Sequence, residues 1–215
     1  MASFIPPALA AGVKPGPVPA ESFSFDAERF ELENNVYKLF GGANGPAVAY
    51  FQDSTLAGQY IEYQPDNQLA RVEGQARLKY LPEETSGGKA AGQGKDPVPL
   101  MVAADSAVAD MRAGRILARG GTQRVRIDYG EVTALSQEAT LFTGERRLVL
   151  VGQPEVRSGG DLLTAGEITL FLDDGRVVGQ GGVHLTIIQE KSQEKSPGKS
   201  EKSKEKSGRD RSGSS

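Results

Sequence analysis

The residues able to do chemistry are few and scattered. His184 is the one histidine and there is no cysteine. A multi-histidine metal cluster, a His-pair mechanism, a disulfide framework and any Cys-based redox or metal site are therefore excluded. On an alternating strand, His184 falls on the face opposite Val183, Leu185 and Ile187, which suits a surface or rim residue better than a base. The serines have no His–Asp frame beyond His184 itself, and no Gly-x-Ser-x-Gly elbow occurs. Gly92-Gln93-Gly94-Lys95-Asp96 has the outline of a phosphate loop but fails it. Lys89 stands where the first glycine belongs, and Asp96 where Ser or Thr would ligate magnesium. Asp173-Asp174 precedes Gly175 between two alternating runs and reads as a hairpin turn, not a metal pair. Asp26, Glu28, Glu31 and Glu33 read as a solvated strand face, and no carboxylate spacing argues for glycosidase work. These residues predict no enzyme, no metal and no cofactor.

The elements that carry these residues are strands. Between about residues 24 and 188, apolar positions recur with period two. Ile168, Leu170 and Leu172 share one face, as do Val183, Leu185 and Ile187, and Arg124-Val125-Arg126-Ile127-Asp128 alternates cleanly. Turn residues separate the runs at Pro65-Asp66-Asn67, Thr143-Gly144-Glu145 and Asp173-Asp174-Gly175.

The runs repeat. A small residue, an alternating strand, a polar turn, a second strand and a glycine recur from Ala57 to Gly74, Ala104 to Gly120, Ala134 to Gly152 and Ala165 to Gly181. A partial copy opens the array at Phe25–Leu39. One hairpin cannot bury its apolar face alone, whereas stacked copies form a continuous apolar trough. The matching small residues belong where the backbone bends or crosses between sheets. The expected fold class is all-β: stacked antiparallel hairpins forming an open, taco-like β-jellyroll with disordered ends.

Composition bounds the rest. The chain has 215 residues, 38% of them hydrophobic, with 27 glycines and no tryptophan. A net charge of −3 and a pI near 5.4 argue against a nucleic-acid partner, and no 18-residue apolar run is present. Residues 1–23 form a Pro/Ala-rich leader. It reads either as disordered chain or as the stump of a signal peptide ending near Ala8-Leu9-Ala10, which has the small-x-small form of a cleavage site. Residues 24–188 form the repeat domain, interrupted by a flexible insertion at 87–99 (GGKAAGQGKDPVP). Residues 189–215 hold eight Lys or Arg and five Asp or Glu. That makes the tail +3 and the body −6, and the tail reads as a solvated tether. A weak grip on anionic lipid or peptidoglycan is the sharper reading of that tail.

The recurring frame resembles the LptA/OstA organic-solvent-tolerance family. The residues that carry the resemblance are Arg71-Val72-Glu73-Gly74-Gln75-Ala76-Arg77-Leu78, Val149–Val156 (VLVGQPEV) and Val177–Leu185 (VVGQGGVHL), with Glu33-Asn34-Asn35-Val36 at the start. It covers roughly residues 25–188 and rests on the repetition more than on one motif. The resemblance implies a periplasmic or cell-envelope location and a part in outer-membrane biogenesis. It also implies lipopolysaccharide or a similar acylated lipid as ligand, and related β-jellyroll transport proteins or further copies of the chain, head to tail, as partners. The lining expected for a lipid trough is the inward alternators Ile61, Tyr63, Leu69, Val72, Leu78, Ile127, Leu141, Leu148, Leu150, Ile168, Leu170, Leu172, Val183, Leu185 and Ile187. The competing reading gives the same stack a filled core and a scaffold or envelope-assembly role. A third, carbohydrate-binding reading would want an aromatic ladder, and the chain offers eight Phe, six Tyr and no Trp.

Overall fold

Period-two alternation over most of the domain leaves no face for an α-helix, and none occurs among the described residues. The computed structural model describes residues 23–51, 54–81 and 98–188. The expectations for the leader, the tail and nearly all of the 87–99 insertion lie outside the described residues. The chain forms one antiparallel sheet, curled along its length so that its two halves face each other as leaves.

The first leaf contains, in hydrogen-bonded order, β2 (Arg29–Glu33), β3 (Val36–Phe40), β6 (Tyr60–Gln64), the start of β7 (Leu69–Tyr80) and the end of β8 (Leu100–Asp110). It continues through β9 (Arg115–Arg119), β12 (Glu138–Phe142), β13 (Arg147–Val151), β16 (Glu167–Phe171) and β17 (Val177–Gln180). The second leaf contains β1 (Ser24–Asp26), β4 (Ala47–Tyr50), β5 (Ser54–Gly58), the end of β7 and the start of β8. It ends with β10 (Val125–Tyr129), β11 (Val132–Ser136), β14 (Glu155–Ser158), β15 (Asp161–Thr164) and β18 (His184–Thr186). The two long strands β7 and β8 run through both leaves, and their register shifts between Glu73 and Ala76.

The fold line between the leaves is where the repeated glycines sit. Gly74 (φ +73) is followed by Gln75 (φ +57), and Gly152 (φ +77) by Gln153 (φ +57). Two successive left-handed residues turn the strand out of one leaf and into the other, the geometry of an extra-residue bulge. The neighbouring crossings are hydrogen-bonded to these turns. Gln59 N–H donates to the Gly74 carbonyl at 2.9 Å, Gly41 N–H to the Gln59 carbonyl at 2.8 Å, and Gly120 N–H to the Gln137 carbonyl at 2.8 Å. The opposite side of each leaf, its rim, is made of the hairpin turns. The Pro65-Asp66-Asn67 turn is a single 3-10 turn that ends on Gln68 in the left-handed region.

The core lies between the leaves. Among the described residues its buried side chains are apolar except for Ser54 and Ser136. The opening edge is not one strand over Phe30–Tyr37. Those residues straddle the β2–β3 hairpin, and the opening edge is β1 in one leaf and β2 in the other. At the far end the edges are β17 and β18.

Candidate functional site

Strand register turns inward alternation into continuous rows. In the second leaf one row runs Phe25, Ala49, Leu56, Leu78, Val102, Ile127, Ala134, Val156, Leu163, Leu185 from one end to the other. In the first leaf one row runs Phe30, Leu39, Ile61, Val72, Ala107, Ala118, Ala139, Leu150, Ile168, Gly179. Beside it runs Leu32, Tyr37, Tyr63, Ala70, Ala109, Ile116, Leu141, Leu148, Leu170, Val177. No charged side chain interrupts these rows, so they form a single apolar seam between the leaves.

The expected lining residues divide three ways along this seam. Ile61, Tyr63, Val72, Leu78, Ile127, Leu141, Leu148, Leu150, Ile168, Leu170 and Leu172 are buried and packed against one another. Leu69 is on the other face: it pairs with Gln64, one register position away from the inward Tyr63–Ala70 pair, and is half-buried on the outside. Val183, Leu185 and Ile187 belong to the closing edge and are exposed, Leu185 by 55%. The other end matches it. Phe30 is 52% and Leu32 56% exposed although both continue inward rows. Sequence reasoning passed over Phe30 and Leu32, whose alternation in Arg29-Phe30-Glu31-Leu32-Glu33 was the available signal. It also passed over the inward alanines, which are too small to mark a face by hydropathy.

The seam is closed at the rim. Toward the opening end, Tyr63 of the first leaf stacks with Phe23, Phe25 and Phe51 of the second leaf, ring centroids 5.3, 5.7 and 6.4 Å apart. Further along, the Tyr129 hydroxyl on β10 donates to the Leu172 carbonyl of the facing leaf at 2.7 Å. The Tyr80 hydroxyl lies 3.5 Å from the Thr143 carbonyl, a long and weak bond by comparison. Burial pushes the Tyr129 phenol above its ordinary value, so it remains a donor through the physiological range.

The outer faces are polar and self-paired. Arg147 and Arg176 lie over the rings of Phe142 and Phe171, 4.2 and 4.0 Å from their centroids, so these aromatics are capped by guanidinium instead of presenting an open ladder. Glu155 sits between Arg157 and Arg124. The hydrogen bond from Arg157 holds its carboxyl below the usual range against the opposing cost of burial. His184 is exposed, its Nε2 3.4 Å from the Thr186 hydroxyl. Among the described residues, no group of three or more His, Asp or Glu is placed to hold a metal.

No family model and no curated protein matches the chain. Among solved structures the chain is similar to LptH of Pseudomonas aeruginosa, the LptA-homologous periplasmic component of a lipopolysaccharide transport device. The identity is 13% over 80% of this chain and 100% of that one, with a TM-score of 0.33.

Proposed function

We propose that this protein is a non-enzymatic lipid-binding module of the cell envelope, holding or passing lipopolysaccharide-like lipid along the seam between its leaves. The observation that carries this reading is the set of end-to-end inward rows, apolar or glycine at every register position and left uncovered at both ends. A self-contained β core ends in polar or covered edge strands; here the rows end on exposed Phe30, Leu32 and Leu185. An acyl chain laid along such a row gains about 0.8 kcal/mol for each methylene taken out of water. The same exposed ends suit a related β-jellyroll or a second copy added strand to strand, which would continue the seam from one molecule into the next. The sequence resemblance supports a periplasmic or envelope location for this activity.

A scaffold reading is favoured by a different observation: Ile61, Val72, Ile127, Leu150, Ile168 and Leu170 have no exposed surface, so the mid-seam is packed without a ligand. Native mass spectrometry of the full chain, incubated with a hexa-acylated lipid A in detergent micelles, separates the two. The lipid reading expects a stoichiometric lipid adduct that survives gentle desolvation. Lipid-free protein that also fails to brighten a fluorescent acyl probe would leave the scaffold reading.

A further inference from the structure

We propose that the seam opens sideways, hinged on the fold line, and that Tyr129 is the latch that holds it shut. This rests on the lipid-binding reading and adds the route by which an acyl chain enters.

The two rims are built differently. In the first leaf successive turns are tied to one another. Met111 N–H donates to the Gln68 carbonyl at 3.0 Å, Thr143 N–H to the Gly114 carbonyl at 2.9 Å, and Leu172 N–H to the Arg146 carbonyl at 2.8 Å. Arg146 also pairs with Asp173 at 2.6 Å. That rim therefore moves as one bar. Nearer the opening end the second leaf meets that rim through Phe23, Phe25 and Phe51 stacked on Tyr63; further along it meets the bar through tyrosine hydroxyls. Tyr129 makes the short bond to the Leu172 carbonyl, and Tyr80 the long one to the Thr143 carbonyl. Below the latch the facing side chains are apolar and add no directional bond of their own between the leaves. On the far side the left-handed pairs at Gly74 and Gly152 place the bend in a few residues of each crossing, which is how a hinge concentrates motion.

Chemistry selects the entrant. A lipid whose acyl chains replace the leaf-to-leaf contacts, while its headgroup remains outside the rim, needs no charge to cross the apolar seam. Entry from the side also spares the headgroup passage through the packed mid-seam.

The chain has no cysteine, so Glu131→Cys, in the turn after β10, and Asp174→Cys, in the turn after β16, give one label in each leaf, each in a turn adjoining one partner of the Tyr129–Leu172 bond. Spin-label distances are measured on this double variant with and without Tyr129→Phe, and with no lipid present. Phenylalanine keeps the ring and removes the donor, so the fold is retained. The loss of one neutral hydrogen bond raises the open population about fivefold. The latch predicts a longer-distance population in the Phe variant and faster uptake of an acyl probe. It also predicts that a short bis-maleimide joining the two cysteines abolishes uptake. Identical distance distributions with tyrosine and phenylalanine overturn the latch. The distance readout contains no lipid, so it judges the latch, whereas absence of probe uptake in every variant tells against the lipid reading.

Discussion

A Cβ placed on Gly152 would lie 2.5 Å from the Cβ of Gln137. The two residues face each other across adjacent crossings of the fold line, where Gln137 N–H is shared between the Val151 and Gly152 carbonyls at 3.2 Å each. These two crossings pack this closely because residue 152 carries no side chain.

Gly152→Ala is therefore expected to destabilise the fold by about 2–4 kcal/mol, the cost of a left-handed alanine plus the displaced Gln137. Gly144, in a rim turn with nothing within 4 Å of its Cβ position, is the control. Gly144→Ala is expected to stay within about 0.5 kcal/mol of the parent. Urea unfolding of both variants measures the difference, and equal midpoints would remove the fold-line argument.

Leu170 is fully buried in an inward row, and Leu69 is half-buried on the outer face. Leu170→Ala is expected to cost about 2–5 kcal/mol through lost burial and a cavity. Leu69→Ala is expected to cost less than about 1 kcal/mol. A reversed order in denaturant midpoints would mean that the register of β7 is wrong by one residue.

Glu155 and Tyr129 contribute to opposite arms of the pH profile, beside Asp128 and Glu33 on the acid side and Tyr50, Tyr60 and Tyr63 on the alkaline side. Glu155 has a depressed carboxyl, chiefly through the Arg157 hydrogen bond. Its contribution is present above about pH 4.3, the ordinary glutamate value, and is lost as pH falls through the lower folded value. Tyr129 has a raised phenol, chiefly through burial. Its contribution is complete below about pH 10 and is lost as pH rises through the higher folded value. Glu155→Gln should make the acid arm, and Tyr129→Phe the alkaline arm, of a melting-temperature series less steep. An unchanged arm in either variant would contradict the corresponding assignment.

Leu185 is exposed on the closing edge, so Leu185→Glu should fold normally. If the exposed edges pair with one another, the parent grows with concentration in light scattering and the variant does not, since a non-closing contact has no natural stop at a dimer. A parent that remains monomeric to millimolar concentration would remove edge pairing from the account.

The sequence made the strands and the fold line legible because alternation and repeated glycines are local properties. Gly74, Gly152 and Gly181 stand at crossings, where matching small residues were expected. Leu69 was misplaced because the Pro65–Gln68 turn inverts parity. Tyr63 faces inward, but after the turn the inward positions are Ala70 and Val72, and alanine hides its face from a hydropathy reading. Leu185 falls in an inward row by register, yet the exposure of Val183, Leu185 and Ile187 depends on whether another strand covers β18, which alternation does not encode. The Tyr129–Leu172 bond joins residues 43 apart on opposite leaves. Its partner follows from how the rims meet, and no local pattern in the chain contains that.

The central claim is that acyl chains lie between the leaves. Photo-crosslinking from p-benzoylphenylalanine in the full chain tests it most directly, using aromatic positions so that the probe's first ring replaces a ring already there. Tyr63 faces the seam, whereas Tyr60 and Phe142 face outward. With radiolabelled lipid A, the account predicts adducts from position 63 and background labelling from positions 60 and 142. Equal labelling at all three positions, or labelling only from the outer ones, would contradict it.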